Sequence, residues 1–335
     1  MTVQTLPSSV WSIVLAGGEG ERIRPSIQQW LGYPVPKQYC TFVGTRSMLQ
    51  HTWDRADQIG LPRKKVTVVG RTHQQSLEHH CTRQDEGTLI FQPRNCDTAP
   101  GVFLPLTYVR AWDPQAVVVL LPADHFICPE DRFVAAVRRA VRAVEFLSDR
   151  MILMGVRPSH LELDYGWMSV GGALGWSGGT SIRRIQAFVE KPEAVDGKRM
   201  MSDGALWNTL VLVTKVETLW KSGWLCFPDM MERFERLRRQ IGTPAEGSTL
   251  QAIYQDMPTQ NFSRHVLQPL ASQLGVMELN DVTWSDWGRP ERIVETLRSM
   301  GKKPAFPMEA FMGSGGPTPS IPQMTRDMGY PYLSC

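Results

Sequence analysis

Short apolar runs that lead into glycine or proline recur along the first half of the chain. They occupy residues 11–15 (WSIVL), 66–69 (VTVV), 116–121 (AVVVLL) and 151–156 (MILMGV). Near-continuous Val, Ile and Leu runs of this length are typical of strands that helices bury on both faces. The pattern therefore predicts strands of a buried sheet.

Residues 131–147 (DRFVAAVRRAVRAVEFL) have the spacing of an amphipathic helix. The apolar residues of its stripe are Phe133, Val137, Ala140, Val141, Val144 and Leu147. Arginines occupy much of the other side, as expected of a helix with one face on a core. Because strand and helix patterns alternate, we predict an α/β protein with helices on both faces of its sheet.

Composition narrows the range of partners. The 335 residues are 42% hydrophobic, enough for one large domain or two small ones. Lys plus Arg is 36 and Asp plus Glu is 33, a net charge of +3, which predicts neither a nucleic-acid partner nor a membrane surface. The aliphatic runs are too short to span a bilayer, and the start MTVQTLPSSV lacks the basic and apolar regions of a secretory signal.

The cysteines and the C-terminal composition give two further predictions. The six cysteines show no metal-binding spacing, which favours reduced thiols and a cytoplasmic location. After Lys303 the sequence becomes rich in Pro, Gly, Ser and Met without periodicity. We therefore predict a domain over residues 1–302 and a tail over residues 303–335 that drapes over the domain or is disordered.

The stretch LAGGEGERIRP, after the first apolar run, has the composition of an anion-binding turn. Backbone N–H groups in such a turn can converge on anionic oxygens, because glycine has no Cβ to block the approach. The dinucleotide fingerprint fails at Ile23, which replaces its third glycine, and no G-K-[ST] follows as in a P-loop. A plain tight turn stays open as an alternative. Arg22 and Lys37 flank the loop, and together they favour a site for a triphosphate-sized anion.

Together with PKQY (residues 36–39), this loop resembles the signature of the sugar-1-phosphate nucleotidyltransferases, L-A-G-G-x-G-x-R-L-x-P followed by P-K. The PKQ form is similar to the mannose-1-phosphate guanylyltransferase branch of that family. The resemblance implies a GT-A-like, Rossmann-related α/β fold with a mixed, mainly parallel sheet. It implies nucleotide binding by Leu15, Ala16, Gly17, Gly18, Gly20 and Arg22. Residues 25–36 exceed the family's usual length at this point, which predicts an enlarged loop over the phosphates.

Two aspartates that are far apart in the sequence resemble the family's metal ligands. Asp124, in PADH, comes just past the carboxyl end of a predicted strand, where open α/β sheets bind ligands. Asp286, in WSDWG, matches the family motif W-x-D-x-G. The resemblance implies that both hold Mg²⁺, which takes one or two carboxylates together with phosphate oxygens. A cap for the following turn is the alternative for Asp124, and we assign His125 to structure.

Other segments resemble the family's substrate-binding segments in the expected order. FQPRNCDTAPG resembles P-x-x-R-N-T-A-P, which leaves Asn95 and Asp97 ambiguous and implies base binding by Thr98, Ala99 and Pro100. DYGWM, VEKPE and WNTL imply sugar-phosphate binding by Gly166, Glu190, Lys191 and Asn208. Leu210 stands where the family pattern W-N-S-G-x-F has glycine. A turn or a solvated ion pair without function is the alternative for the segments around Gly166 and Lys191.

The resemblance implies an enzyme that transfers a nucleotidyl group from a nucleoside triphosphate to a sugar-1-phosphate and releases pyrophosphate. Because the attacking phosphate is already anionic, the reaction needs charge neutralisation and positioning rather than a protein nucleophile. The predicted catalytic residues are Arg22, Lys37, Asp124, Lys191 and Asp286.

The predicted substrates are GTP and mannose-1-phosphate, favoured by PKQ, T-A-P and PADH. The alternatives are another substrate pair, a non-catalytic homologue that binds nucleotide-sugar, a glycosyltransferase of related fold and an oxidoreductase. The oligomeric state stays open, a homo-oligomer included.

Overall fold

The computed structural model describes residues 9–78 and 87–312. Its strands there are β1 (Val10–Ala16), β2 (Lys65–Gly70), β3 (Thr88–Gln92), β4 (Val117–Pro122), β5 (Phe126–Cys128), β6 (Met151–Val156), β7 (Gly166–Ser177), β8 (Thr180–Glu190), β9 (Leu206–Lys215), β10 (Leu274–Glu278) and β11 (Thr283–Ser285). Its helices there are α1 (Arg24–Leu31), α2 (Met48–Ile59), α3 (Gln74–Glu78), α4 (Thr98–Trp112), α5 (Glu130–Ala143), α6 (Ala194–Ser202), α7 (Val216–Cys226), α8 (Pro228–Arg238), α9 (Glu246–Gln255) and α10 (Pro290–Ser299). The strands predicted from apolar runs are confirmed as β1, β2, β4 and β6. The predicted amphipathic helix is confirmed as α5, which ends at Ala143 rather than Leu147.

Within the described residues, nine strands form one sheet in the order β3-β2-β1-β4-β9-β6-β10-β8-β7, and β5 pairs with β11 in a small ribbon. β1 lies between β2 and β4 and is parallel to both. β8 and β9 run against the other strands of the large sheet. The sheet is therefore mixed and mainly parallel, as the resemblance implies.

Helices cover both faces of the sheet, as predicted. α2 and α5 contribute Trp53 and Phe133 to the apolar layer on one face, and α4 and α8 contribute Phe103 and Phe234 to the layer on the other. Successive residues of β4 enter opposite layers because side chains alternate along a strand, which explains why its sequence is apolar throughout. No helix within the described ranges has the length and apolar character needed to cross a membrane.

The prediction of an enlarged loop over residues 25–36 is wrong, because most of this segment forms α1. Pro25 lies in the first turn, and Gly32 ends the helix with a left-handed φ of 82°, both common helix-end signals. Ile27 is buried. Trp30 packs against Phe42, Phe306 and Phe311. The additional residues thus build a helix beside the domain core.

Beyond Lys303 the chain lies on the domain as far as it is described. The Ala305 N–H donates to the Phe42 carbonyl at 2.9 Å, and Phe306 and Phe311 are buried. Residues 313–335 of the predicted tail lie outside the described residues. The domain limit at residue 302 stays a prediction.

Candidate active site

A cleft of about 800 Å³ lies at the carboxyl ends of β1 and β4. Because these strands are parallel neighbours, the loops that follow them reach the same edge of the sheet. The predicted site residues that line the cleft are Leu15, Gly17, Gly18, Gly20, Arg22, Lys37, Thr98, Asp124 and Asp286. Asn95 and Asp97, which the sequence leaves ambiguous, line it as well. Its volume is in the usual range for a small-molecule site.

Gln38 supports the glycine loop from behind. Its Nε2 donates to the carbonyls of Ala16 and Gly18 at 2.8 and 2.9 Å, and its side chain is buried. Gly20 has a φ of 61°, and a Cβ there would lie 3.2 Å from the Cβ of Lys37. Glycine at this position therefore permits both the left-handed backbone and the close approach of Lys37.

Glu19 of the same loop is paired on one side of the cleft. Its carboxylate lies 3.2 Å from His73 Nε2 and 3.3 Å from Arg24 Nη2, and Thr72 Oγ1 donates to it at 3.5 Å. These partners offset part of the repulsion that a carboxylate exerts on a bound phosphate. An acid in this loop is thereby compatible with an anion site.

Lys37 connects the two predicted metal ligands. Its side chain is 4% exposed, and its Nζ lies 2.8 Å from Asp124 Oδ2. The same Nζ donates to the backbone carbonyl of Asp286. A buried ammonium group needs partners of this kind, because an unpaired buried charge is costly. Residues from three distant parts of the chain therefore meet at one cation.

Asp286 is held by donors that were not predicted from the sequence. Its Oδ1 accepts from Arg292 Nη1 at 2.6 Å, from the Gly288 N–H at 2.8 Å and from the Tyr165 hydroxyl at 3.0 Å. Its Oδ2 lies 3.5 Å from Arg22 Nη2. The short spacing between Asp286 and Arg292 in DWGRPER, at the start of α10, is the signal that could have located this arginine.

Nearby cations keep both aspartates ionised. Burial by itself raises the pKa of Asp286, but the charges of Lys37 and Arg292 and the Gly288 N–H outweigh it, so the pKa falls to about 2. Burial also opposes ionisation of Asp124, but the charges of Lys37 and His125 outweigh it and lower its pKa. Both groups are carboxylates at neutral pH, the form that binds a hard cation.

The residues present fit a magnesium ion that shares its ligands with a substrate. The Asp124 side chain is 40% exposed, and its Oδ1 lies 3.7 Å from His125 Nε2. Across residues 9–78 and 87–312, no group of three or more His, Cys, Asp or Glu is placed to hold a metal. Mg²⁺ is commonly bound by one or two carboxylates, with substrate phosphates and water completing its shell. Asp124 and Asp286 provide that minimal set.

The predicted sugar-binding residues do not line this cleft. Gly166 and Glu190 face each other across β7 and β8, and a Cβ on Gly166 would lie 2.9 Å from Glu190 Oε2. Lys191 is exposed, has a φ of 53° and donates its N–H to the Tyr165 carbonyl at 3.1 Å. The Tyr165 hydroxyl in turn reaches Asp286, so this strand pair begins beside the cleft.

Asn208 and Leu210 lie on β9. Asn208 is buried, and its Oδ1 accepts from the Leu210 N–H at 3.0 Å. Leu210 lines the cleft with a φ of 59°, a conformation that leucine rarely adopts. The backbone thus has a shape suited to glycine, while the side chain adds an apolar group to the cleft wall. The predicted nucleotide-binding residues that are buried and do not line the cleft are Ala16, Ala99 and Pro100.

Comparisons with known proteins agree with this architecture. The profile of the family described as nucleotidyl transferase matches residues 11–303. A mannose-1-phosphate guanylyltransferase from Escherichia coli is 23% identical over 306 residues, which are 89% of this chain and 63% of that protein. The xanthan biosynthesis protein XanB from Xanthomonas campestris pv. campestris (strain B100) is 27% identical over 205 residues, 60% of this chain and 41% of that protein.

Solved structures show the same fold. The Thermus thermophilus protein described as mannose-1-phosphate geranyltransferase aligns with a TM-score of 0.71 at 23% identity, over 85% of this chain and 79% of that one. This chain spans less than two thirds of the length of the two curated relatives above. The family profile nevertheless extends from β1 past the end of α10, and the chain belongs to the nucleotidyl transferase family.

Proposed function

We propose that this chain is a sugar-1-phosphate nucleotidyltransferase that uses GTP, mannose-1-phosphate and Mg²⁺. The observation that carries the proposal is the contact of Lys37 with Asp124 and with the backbone of Asp286, beside the glycine loop. This contact places one buried ammonium group and two ionised carboxylates in a single cleft. The PKQ sequence and relatives named mannose-1-phosphate guanylyltransferase support the substrate pair.

In the proposed reaction, an oxygen of the sugar-1-phosphate attacks the α-phosphorus of GTP and forms a new P–O bond. The bond from the α-phosphorus to the oxygen that bridges it to the β-phosphorus breaks, and pyrophosphate leaves with that electron pair. Arg22 and the glycine loop bind the triphosphate, and Lys37 stabilises charge at its α- and β-phosphates. Lys191 binds the incoming sugar-phosphate. Asp124 and Asp286 would hold a magnesium ion, which would supply charge neutralisation at the phosphoryl oxygens.

Release of pyrophosphate tests the proposal directly. Purified protein is incubated with Mg²⁺ and every combination of GTP, ATP, CTP, UTP and dTTP with mannose-, glucose- and galactose-1-phosphate. We expect release with GTP and mannose-1-phosphate, and its loss in Asp124→Asn. Asp203→Asn, which changes an exposed aspartate outside the cleft, should keep it.

The outcomes separate the alternatives. Turnover with a different pair keeps nucleotidyl transfer and replaces the proposed substrates. Binding of a nucleoside triphosphate without release for any pair rejects the enzyme and favours a non-catalytic homologue that binds nucleotide-sugar.

A further inference from the structure

Arg22, which the proposed function assigns to the triphosphate, is bound to acids in this structure. Its Nη1 lies 3.1 Å from Asp164 Oδ2, and its Nη2 lies 3.5 Å from Asp286 Oδ2. Both terminal nitrogens of the guanidinium therefore face carboxylates. The Arg22 side chain is 50% exposed, so a ligand that enters the cleft can reach it.

Asp164 is well placed to hold this arginine. Its carboxylate also pairs with Arg289 and lies 3.3 Å from Arg292 Nη2. Burial opposes the ionisation of Asp164, but the hydrogen bond and charge of Arg289 and the charge of Arg22 outweigh it and lower its pKa. Asp164 is thus a charged acceptor at neutral pH. It is the first residue of the segment DYGWM, just before β7, where only Gly166 was assigned a binding role.

The backbone at Gly288 accommodates the paired position of Arg22. A Cβ at this residue would lie 2.6 Å from Arg22 Nη2 and 2.5 Å from Asp286 Oδ2. Heavy atoms do not approach a Cβ this closely without displacement. Glycine therefore leaves the space in which the guanidinium lies between Asp164 and Asp286.

We propose that Asp164 is a positioning residue for Arg22: Asp164 holds the guanidinium beside the acids of the cleft, and a bound triphosphate competes with Asp164 for it. The inference rests on the proposed function, since it takes the ligand to be a nucleoside triphosphate. Carboxylate and phosphate oxygens both accept hydrogen bonds from the N–H groups of a guanidinium, so the two compete for Arg22. Asp164 thereby lowers the affinity of the cleft for triphosphate.

The test measures binding without turnover. GTP and inorganic tripolyphosphate are titrated separately into the full chain by calorimetry, with no sugar-phosphate present. We expect Asp164→Asn to bind both ligands about two- to fivefold more tightly, the range that a partly exposed ion pair permits. In the Arg22→Ala background the same change should leave affinity unaltered, because the residue that Asp164 withholds is gone.

Two further variants keep the test decisive. Glu162→Gln removes the charge of the residue two positions before Asp164, which pairs with Arg292 at 2.7 Å. This variant should not bind GTP or tripolyphosphate more tightly. Asp164→Ser replaces Asp164→Asn if the latter does not unfold cooperatively.

Equal gains in Glu162→Gln, a gain that persists without Arg22, or unchanged or weaker binding by a folded Asp164 variant would each overturn the inference. If the unmodified chain binds neither GTP nor tripolyphosphate, the proposed function fails as well. If it binds them and Asp164→Asn has no effect, only the role of Asp164 fails.

Discussion

The ammonium group of Lys37 is buried. A buried ammonium group is stable only when other groups neutralise it or accept its hydrogen bonds. The Asp124 carboxylate and the carbonyls of Asp286 and Trp287 surround its Nζ. The same surroundings exclude most water, and a fixed cation has its largest effect on developing phosphate charge in such a place. The proposed reaction gives Lys37 a role in chemistry as well as in folding, and a substitution of similar length separates the two roles.

We expect Lys37→Met to lower kcat for pyrophosphate release by about 10²-fold or more, because a preorganised charge at the phosphates is lost. The measurement is kcat at saturating substrates, together with the thermal unfolding midpoint. Lys198→Met, which changes an exposed lysine of α6, should leave kcat unaltered. Undiminished kcat in a folded Lys37→Met protein would contradict the catalytic role.

Asp286 makes stability depend on pH in a definite direction. Its pKa is about 2 in the folded chain against an ordinary value of 3.8, so its ionised form stabilises the fold. This contribution, about 2 kcal/mol, is fully present above the ordinary pKa and is lost as the pH falls toward 2.

Urea unfolding of the unmodified protein and of Asp286→Asn, from about pH 6 downward, checks this contribution. The gap between their free energies of unfolding should be widest near neutrality and shrink below about pH 4. A gap that stays constant or widens in acid would show that Asp286 is not stabilised as a carboxylate.

Secondary-structure elements were predicted well where one segment carries the whole pattern. The apolar runs of β1 and β4 and the stripe of α5 are local, so neighbouring residues suffice to identify them. α1 was missed although Pro25 and Gly32 mark its ends, because the family pattern indicates a loop there. A family resemblance can thus override a correct local signal.

The candidate site was predicted only where a motif names a residue. Asp124 and Asp286 are separated by more than half the described chain, and the resemblance rather than their spacing placed them together. Arg292 pairs with Glu162 at 2.7 Å and with Asp286 at 2.6 Å. No local periodicity reports the ion pair with Glu162, which exists only once the fold has brought the start of β7 and α10 together.

α1 offers a test at the scale of one element. Residues 25–36 do not line the cleft, whereas Trp30 packs on Phe42, Phe306 and Phe311. We expect Trp30→Ala to lower the free energy of unfolding by about 2 kcal/mol, less than for a fully buried tryptophan, and to leave kcat unaltered. Urea unfolding and pyrophosphate release measure the two effects.

Trp224→Ala, at a tryptophan that is 40% exposed, is the matched control and should destabilise the protein less. A large loss of kcat in Trp30→Ala at native stability would contradict a purely structural role for α1.

Taken as a whole, the molecule builds its cleft from residues spread along the described chain. The glycine loop follows β1, Asp124 follows β4, Leu210 lies on β9 and Asp286 precedes α10. The unfolded chain cannot assemble this arrangement. A ligand of the cleft therefore binds only the folded state, and its binding free energy adds to the stability of the entire domain.

The proposed magnesium site predicts that binding of the metal and of the nucleotide is cooperative. Two carboxylates alone leave most of the coordination shell of Mg²⁺ to water and phosphate oxygens. Mg²⁺ by itself should therefore barely raise the thermal unfolding midpoint, whereas Mg²⁺ with GTP should raise it more than GTP with a chelator does. At a ligand concentration one hundred times Kd, the stabilisation is about 2.7 kcal/mol.

Asp124→Asn should lose the magnesium-dependent part of this stabilisation and keep the part due to GTP alone, because the glycine loop and Arg22 still bind phosphate. If Mg²⁺ alone stabilises the protein as much as Mg²⁺ with GTP, the metal has a site of its own that does not depend on substrate, and the shared site proposed here is wrong.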